Sequence, residues 1–347
     1  MFDQLTGNER VKQLLRRMLE MRRVPGALLF SGEEGIGKKL FALELARSLN
    51  CRSRLGAEAC GKCGICLRTI VLNYPGSQDQ DALEKIIWTN HPDVGMVVAS
   101  GRWLKVAQMR AIEQEANYRP FEGAVRVFII DETDKLNEPS ANALLKILEE
   151  PPPTSHIILV TSRPAMLLPT IRSRCQAIRF SPLTANEIEQ HLSANKLAKG
   201  AEARLRARAA GGSLARALTD DLETFKERRE AMLEVLVALA MSGDRSRLLR
   251  LAEEMNDANH KDEYELGLEV LETLIRDALM LSLGIEAKYL VNEDLSSELR
   301  KVGEKVDIAT AINWISQIEE LREQLGVNIN RKPATDALFL TMASSSF

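Results

Sequence analysis

Residues 27–39 read ALLFSGEEGIGKK, an apolar run that passes directly into a glycine-rich segment, and an apolar helical stretch follows over residues 40–49. The pattern GxxxxGK between a strand and a helix is typical of a phosphate-binding loop. Its glycines let successive backbone N–H groups converge on phosphate oxygens, and the helix N-terminus adds its positive end. The alternative is a glycine-rich turn that binds nothing. The residues predicted to contact a nucleotide here are Gly32, Gly35, Gly37 and Lys38.

The next position departs from this pattern. Lys39, which we include among the nucleotide-contacting residues, occupies the place of the Ser or Thr whose hydroxyl binds Mg²⁺. An ammonium group has no lone pair with which to ligate a cation and repels it. The sequence therefore predicts a degenerate site that binds ATP weakly or not at all, and it argues against Mg²⁺ there.

Two further polar positions follow apolar runs. Residues 127–130 (VFII) end in Asp131 and Glu132, the form of a Walker B element. In such an element the first acid holds Mg²⁺ and the second polarises the attacking water. Thr161 follows residues 157–160, where it could contact a γ-phosphate. The alternative for both is a buried strand that simply meets a polar turn.

Four of the five cysteines lie within sixteen residues, in the spacing C-x8-C-x2-C-x2-C. Four soft ligands so close together suit a tetrahedral Zn²⁺, and with all four positions filled the metal would be structural. An iron–sulfur cluster is the main alternative, although the ferredoxin spacing C-x3-C-P is absent from the sequence. The predicted metal ligands are Cys51, Cys60, Cys63 and Cys66.

The length of 347 residues suggests more than one domain, and 45% hydrophobic with 27% charged residues is the composition of a globular protein. No apolar run reaches the roughly 18 residues of a membrane span, and no apolar signal segment opens the chain, so we expect a cytoplasmic protein. Residues 1–180 carry 25 basic and 20 acidic side chains, whereas residues 181–347 carry 21 and 29. This balance does not indicate a dedicated nucleic-acid-binding domain.

Short apolar runs alternate with helical stretches as far as residue 180, which predicts α/β architecture with a parallel sheet. Thr184 and Glu187 form a capping-box pattern that opens a helix. The remainder has helical periodicity only. We therefore predict three domains: residues 1–180 with a zinc module at about 51–66, residues 181–220 as a small helical region, and residues 221–347 as an all-α domain.

These motifs, together with residues 142–152 (NALLKILEEPP) and 167–176 (LLPTIRSRCQ), resemble bacterial DNA polymerase III clamp-loader subunits of the AAA+ class. The segments that resemble the delta-prime branch in particular are residues 91–93 (HPD), 131–134 (DETD), 168–176 (LPTIRSRCQ) and 328–330 (NIN). The resemblance is strong over residues 1–220 and thinner in the helical tail.

The resemblance implies an AAA+ P-loop domain with a zinc insertion, a helical lid and a C-terminal collar. It also implies a hetero-pentameric ring with gamma/tau and delta subunits that loads the beta sliding clamp onto primer-template DNA. Arg174 matches the family arginine that reaches across to a neighbour's ATP, where a guanidinium stabilises charge on the transferring phosphoryl group. The alternative, which we would favour without the surrounding motif, is that Arg174 is a surface arginine near the start of a strand.

Two departures fall on the chain's own nucleotide site: Lys39 replaces the magnesium-binding hydroxyl, and Ala215 stands where hydrolysing relatives have an arginine. Both favour a delta-prime stator, a component of a DNA-directed DNA polymerase (nucleotidyltransferase) holoenzyme whose own ATPase is absent or weak. The alternatives are a gamma/tau-type motor that hydrolyses ATP itself and a zinc-bearing AAA+ module outside replication.

Overall fold

The computed structural model describes residues 1–74, 84–256, 264–325 and 330–344. The sequence around Pro75 and Gly76 predicts a loop over residues 73–81, and most of it lies outside these ranges, as do Asn328 and Ile329 of the NIN segment. The chain forms two compact units, Met1–Leu218 and Thr219–Phe347.

Within the described residues, the first unit contains one six-stranded sheet in the order β2-β3-β4-β5-β1-β6. All neighbouring pairs are parallel except β2 with β3. The strands are β1 (Ala27–Ser31), β2 (Ile87–Trp88), β3 (Val94–Val97), β4 (Arg126–Ile130), β5 (Ser155–Thr161) and β6 (Gln176–Arg179). The predicted parallel sheet is thus confirmed, with a two-residue antiparallel strand added at one edge.

Helices cover both faces of this sheet, so its central strands β1, β4 and β5 are buried along their whole length and mostly apolar rather than alternating. Leu28 and Phe30 point into a core shared with α1 and α2, whereas Leu29 points into a core shared with α4 and α5. The helices of this layer are α1 (Glu9–Glu20), α2 (Lys38–Asn50), α3 (Gly64–Thr69), α4 (Val106–Ala116), α5 (Glu138–Glu149) and α6 (Pro169–Arg172).

Three helices after the sheet have a small core of their own, built around Leu183, Ile188, Leu192 and Ala207. They are α7 (Ala185–Ala194), α8 (Gly200–Ala209) and α9 (Leu214–Thr219). The capping box that the sequence predicts is present, because the Thr184 side chain accepts from the Glu187 N–H while the Glu187 carboxylate accepts from the Thr184 N–H.

The described residues of the second unit are helical, as predicted. Trp314 is fully buried and donates its indole N–H to the Met342 carbonyl over 2.9 Å. The α-helices are α10 (Leu222–Val237), α11 (Arg245–Met255), α12 (Tyr264–Ser282), α13 (Ser296–Gly303), α14 (Ile308–Leu325) and α15 (Arg331–Ser344). None of the helices in the described ranges is both long and apolar enough to cross a membrane.

Candidate functional site

The predicted phosphate-binding loop connects β1 to α2 at the carboxyl edge of the sheet. Its glycines have positive φ angles, 75° at Gly35 and 93° at Gly37, which favour residues without a Cβ. A Cβ on Gly32 would lie 2.5 Å from the Phe180 carbonyl oxygen, and one on Gly35 would lie 2.0 Å from the Ser213 hydroxyl. Glycine at these two positions is therefore required by close packing as well as by backbone conformation.

The Lys38 ammonium folds back onto the loop itself. It donates to the carbonyl oxygen of Gly32 over 2.6 Å and also to that of Glu33. Burial lowers the pKa of Lys38, while the negative charges of Asp131 and Glu34 oppose this shift. The side chain predicted to contact phosphates is thus satisfied by the carbonyls of its own loop.

Lys39 forms an ion pair with Asp131, the acid that follows β4. Lys39 Nζ lies 3.1 Å from Asp131 Oδ2. Burial alone would lower the pKa of Lys39, but the charge of Asp131 and the hydroxyl of Tyr74 outweigh it and raise the pKa. A cation already neutralises the carboxylate that would hold Mg²⁺, so the residues present do not fit a magnesium ion at this position.

The two remaining polar residues of the predicted site are held by neighbours. Glu132, at φ 51°, pairs with Lys135 over 2.5 Å. Thr161 is buried and donates its hydroxyl to Asp134 Oδ1 over 2.7 Å. The structure therefore brings both residues to the carboxyl edge near the loop, each with its polar group directed at a neighbouring side chain.

The turn before α9 lies directly on the phosphate-binding loop. The Ala215 N–H donates to the Gly35 carbonyl oxygen over 3.1 Å. Ser213 is buried, and its hydroxyl lies beside Gly35. Ala215, at the position where the resemblance expects an arginine, offers the loop a methyl group and a backbone N–H but no charge.

The four predicted metal ligands lie together. Their sulfur atoms are all within 4.8 Å of one another, with 4.0 Å from Cys51 to Cys63 and 3.8 Å from Cys60 to Cys66. Zinc–sulfur bonds of about 2.3 Å place the sulfurs of a tetrahedron about 3.8 Å apart. None of the five cysteines, all of which lie in the described ranges, forms a disulfide. The arrangement fits a closed four-thiolate metal site.

Backbone N–H groups favour the thiolate of Cys60, whereas burial raises the pKa of Cys66. The N–H groups of Lys62 and Cys63 point at the Cys60 sulfur and lower the pKa of Cys60 to about 6. In the same way, the Cys60 N–H donates to the Cys51 sulfur over 3.3 Å. N–H groups directed at sulfur stabilise the charged ligand that a metal requires.

The cysteine module is anchored to the sheet through the HPD segment, a role that the motif itself does not reveal. Arg68 binds the Glu122 carboxylate with its two terminal guanidinium nitrogens: Nη1 lies 2.7 Å from Oε1, and Nη2 donates to Oε2 over 2.9 Å. The buried Asp93 carboxylate accepts the N–H groups of residues 121–123. His91 is buried beside Glu122, with 3.6 Å between His91 Nε2 and Glu122 Oε1. These contacts fix the loop that receives Arg68.

Arg174 lies at the other edge of the sheet. Its guanidinium donates to Glu149 Oε1 over 2.8 Å and to the Thr170 carbonyl over 2.9 Å, and the side chain is 34% exposed. Arg174 precedes the amino end of β6, whereas Gly32 lies level with Phe180 past its carboxyl end. The four residue steps from 176 to 180 span about 13 Å. Arg174 therefore lies at the opposite end of β6 from the chain's own predicted phosphate loop.

The partners of these side chains were not predicted. Tyr74, Asp134, Lys135 and Glu149 each hold a predicted site residue. Asp134 belongs to the DETD segment and so carried a signal. Glu149 belongs to the NALLKILEEPP segment, although that motif does not indicate its pairing with Arg174. Tyr74 carried no signal, because it lies far along the chain from the Lys39 side chain that it contacts.

Comparison with known proteins identifies similar sequences along the whole chain. Residues 7–184 match the family described as "DNA polymerase III, delta subunit", and residues 223–333 match its C-terminal family. The chain is 30% identical to DNA polymerase III subunit delta' of Bacillus subtilis over 96% of this chain and 95% of that protein.

A second relative is DNA polymerase III subunit tau of Escherichia coli, at 31% identity over 96% of this chain and 48% of tau. The chain thus spans about half the length of that relative. A gamma-subunit-related protein of Thermotoga maritima aligns with 97% of this chain and 99% of its own, at TM-score 0.35 and 17% identity.

Proposed function

This chain belongs to the DNA polymerase III delta-subunit family, and we propose that it works as a delta-prime-type stator in a clamp-loader ring. In this role it completes a hetero-pentamer with gamma/tau and delta subunits, which loads the beta sliding clamp onto primer-template DNA. The ion pair between Lys39 and Asp131 carries the stator assignment, because Asp131 is the acid that would hold the metal in a hydrolysing nucleotide site.

Hydrolysis in this chain would need a metal beside the phosphates and a carboxylate free to orient water. Lys39 neutralises Asp131, and Glu132 is paired with Lys135. ATP contact through the loop amides remains compatible with these pairs, since phosphates bind backbone N–H groups at a helix N-terminus without a metal. The chain then acts as a nucleotide-independent or weakly binding subunit. The gamma/tau-type motor remains the alternative that the experiments below distinguish.

Arg174 would act in trans, on the ATP of a neighbouring subunit. Its position beyond the amino end of β6 supports this role, because the chain's own loop lies past the opposite end of that strand. The ion pair with Glu149 holds the guanidinium at the surface, where a neighbour's γ-phosphate could replace the carboxylate. A guanidinium delivered in this way stabilises the charge that develops on the transferring phosphoryl group.

The four cysteines would hold a structural Zn²⁺. With four thiolate ligands the ion has no open position for water, so its contribution is to the stability of the module and not to chemistry. The ion pair between Arg68 and Glu122 would then hold the metal-stabilised module against the edge of the sheet.

We further propose that the predicted division into residues 1–180, 181–220 and 221–347 corresponds to an AAA+ domain, a lid and a collar. The separate core around Leu183 to Ala217 supports an independent lid, and the helical second unit supports a collar. The lid covers the loop through the contacts of Ser213 and Ala215 with Gly35, which suits a subunit that does not exchange nucleotide.

The test is reconstitution with partner subunits, using Arg174→Ala and, as a matched control, Arg172→Ala, an exposed arginine two residues away. Native mass spectrometry establishes whether the chain enters a five-subunit complex. With Arg174→Ala, the DNA-stimulated ATPase at the neighbouring site that Arg174 would contact should fall by about 10³-fold. With Arg172→Ala, the ATPase of the complex should stay unchanged. A complex that assembles with unchanged ATPase would disprove the finger role, and no assembly would disprove the stator role.

A further inference from the structure

A cationic groove lies at the amino edge of the sheet, on the side opposite the phosphate-binding loop. Its volume is about 700 Å³, within the range of about 300–1,000 Å³ that encloses a compact ligand. It is bounded by the end of α1, the start of the cysteine module, the segment before β4 and the start of β5. Neither the nucleotide site nor the Arg174 surface uses it.

Three arginines line this groove: Arg22, Arg52 and Arg54. Among the described residues that form its wall there is no aspartate or glutamate. His156 also lines it, but burial lowers the pKa of His156, so the positive charge comes from the guanidinium groups. The groove therefore carries three guanidinium groups with no carboxylate in its described wall, beside Cys51, one of the four predicted metal ligands.

Two of these arginines are held in place without being neutralised. Arg52 donates to the Glu122 carbonyl oxygen over 2.8 Å, and Arg54 donates to the Leu49 carbonyl oxygen over 2.6 Å. The nearby Glu122 carboxylate is engaged by Arg68. A carbonyl partner fixes the direction of a guanidinium and leaves its charge and remaining N–H donors available for a carboxylate or phosphate.

Apart from Cys51, the rest of the wall is aliphatic. The side chains of Leu19, Val24, Leu49, Val125 and Pro153 line it, and no Phe, Tyr or Trp of the described chain is among the lining residues. Single-stranded nucleic acid is usually held by aromatic rings on which bases stack. Aliphatic walls beside arginines match a peptide that carries both carboxylates and branched apolar side chains.

We infer that this groove binds an acidic, aliphatic peptide segment of a partner protein. Carboxylates of the segment pair with Arg22, Arg52 and Arg54, and its leucine-type side chains cover the wall formed by Leu19 and Pro153. The inference concerns a surface outside the nucleotide site, so it stands or falls separately from the stator role.

The experiment uses the full-length metal-loaded protein and a fluorescein-labelled peptide of sequence ELDELD, followed by fluorescence anisotropy. The isosteric neutral peptide QLNQLN is the ligand control. Arg22→Glu should weaken ELDELD binding by about tenfold, since it replaces an attraction by a repulsion. The control Arg10→Glu replaces an exposed arginine near the start of α1, outside the groove, and should change binding by less than about twofold.

Among the described residues the Arg22 side chain makes no hydrogen bond or ion pair, and the backbone N–H bond to the Leu19 carbonyl oxygen does not depend on the side chain. Arg22→Glu should therefore fold normally, and an unchanged metal content checks this. The double variant Arg22→Glu, Arg54→Glu should abolish binding. Failure of ELDELD to bind, equal binding of QLNQLN, or equal affinity of Arg22→Glu would each overturn the inference. Tighter, Arg22-dependent binding of an oligothymidylate or of inorganic phosphate would also overturn it, and would assign the groove to phosphate instead.

Discussion

The ion pair between Lys39 and Asp131 should contribute about 1 kcal/mol of coupling free energy to the first unit. At 3.1 Å the gross Coulomb attraction is about 1.3 kcal/mol in bulk water and about 5 kcal/mol at an effective dielectric constant of about 20. Desolvation and ordering of the lysine offset most of this, and exposed pairs usually contribute about 0.2–1 kcal/mol. Because the Asp131 side chain is only 17% exposed, we place this pair at the upper end of that range.

A double-mutant cycle measures the coupling directly. It compares the wild type with Lys39→Met, Asp131→Asn and the double variant, in which side-chain lengths are preserved. Hydrogen exchange of the β4 amides reports the opening free energy of the first unit without a contribution from the second. A coupling below about 0.3 kcal/mol would refute the view that these groups neutralise each other.

The same pair makes a prediction about magnesium. Lys39→Thr restores a hydroxyl and frees Asp131, so millimolar Mg²⁺ with ADP should stabilise this variant through ligand binding to the folded state. The wild-type protein should show no magnesium-dependent stabilisation. Equal stabilisation of the two proteins would contradict the claim that the lysine takes the place of the metal.

Three further outcomes are expected. Cys66→Ser should lose the metal, and elemental analysis should show a fall from one zinc per chain to none. Iron or no metal in the wild-type protein would contradict the predicted zinc site. Gly35→Ala should destabilise the first unit by about 1–3 kcal/mol more than Gly37→Ala, since both have positive φ but only the first brings a Cβ against Ser213; equal thermal shifts would oppose this. Burial lowers the pKa of His156 in the folded chain, so the unfolded chain binds a proton more tightly. The free energy of unfolding therefore falls as the pH drops below about 6.5, the pKa of an unperturbed histidine. His156→Gln should reduce this pH dependence, which hydrogen exchange measures between about pH 7.5 and 5.5.

Much of this architecture follows from local patterns. The short apolar runs predict β1, β4 and β5 because helices bury both faces of these strands. The four cysteines are close in sequence, so their grouping could be predicted without knowledge of the fold. The structure confirms this prediction. Strand β2 was not predicted, because it has only two residues, Ile87 and Trp88, which are too few to show an alternating pattern.

Contacts between distant parts of the chain could not be read in this way. Lys39 was expected to repel a cation, but its pairing with Asp131 depends on the sheet order that brings the end of β4 near the end of β1. The HPD segment was noticed as a motif, yet only the fold shows Asp93 capping the loop that anchors Arg68. The family membership is confirmed, whereas the roles of Arg174 and Thr161 stay predictions.

The most direct test of the account is the ATP turnover of the purified chain alone, compared with that of the complete ring reconstituted around it. We expect background turnover from the isolated chain, and a DNA-stimulated rate in the ring that requires Arg174. Turnover by the isolated chain at a rate comparable to the ring, abolished by Glu132→Gln, would show that its own nucleotide site is catalytic and would contradict the stator role.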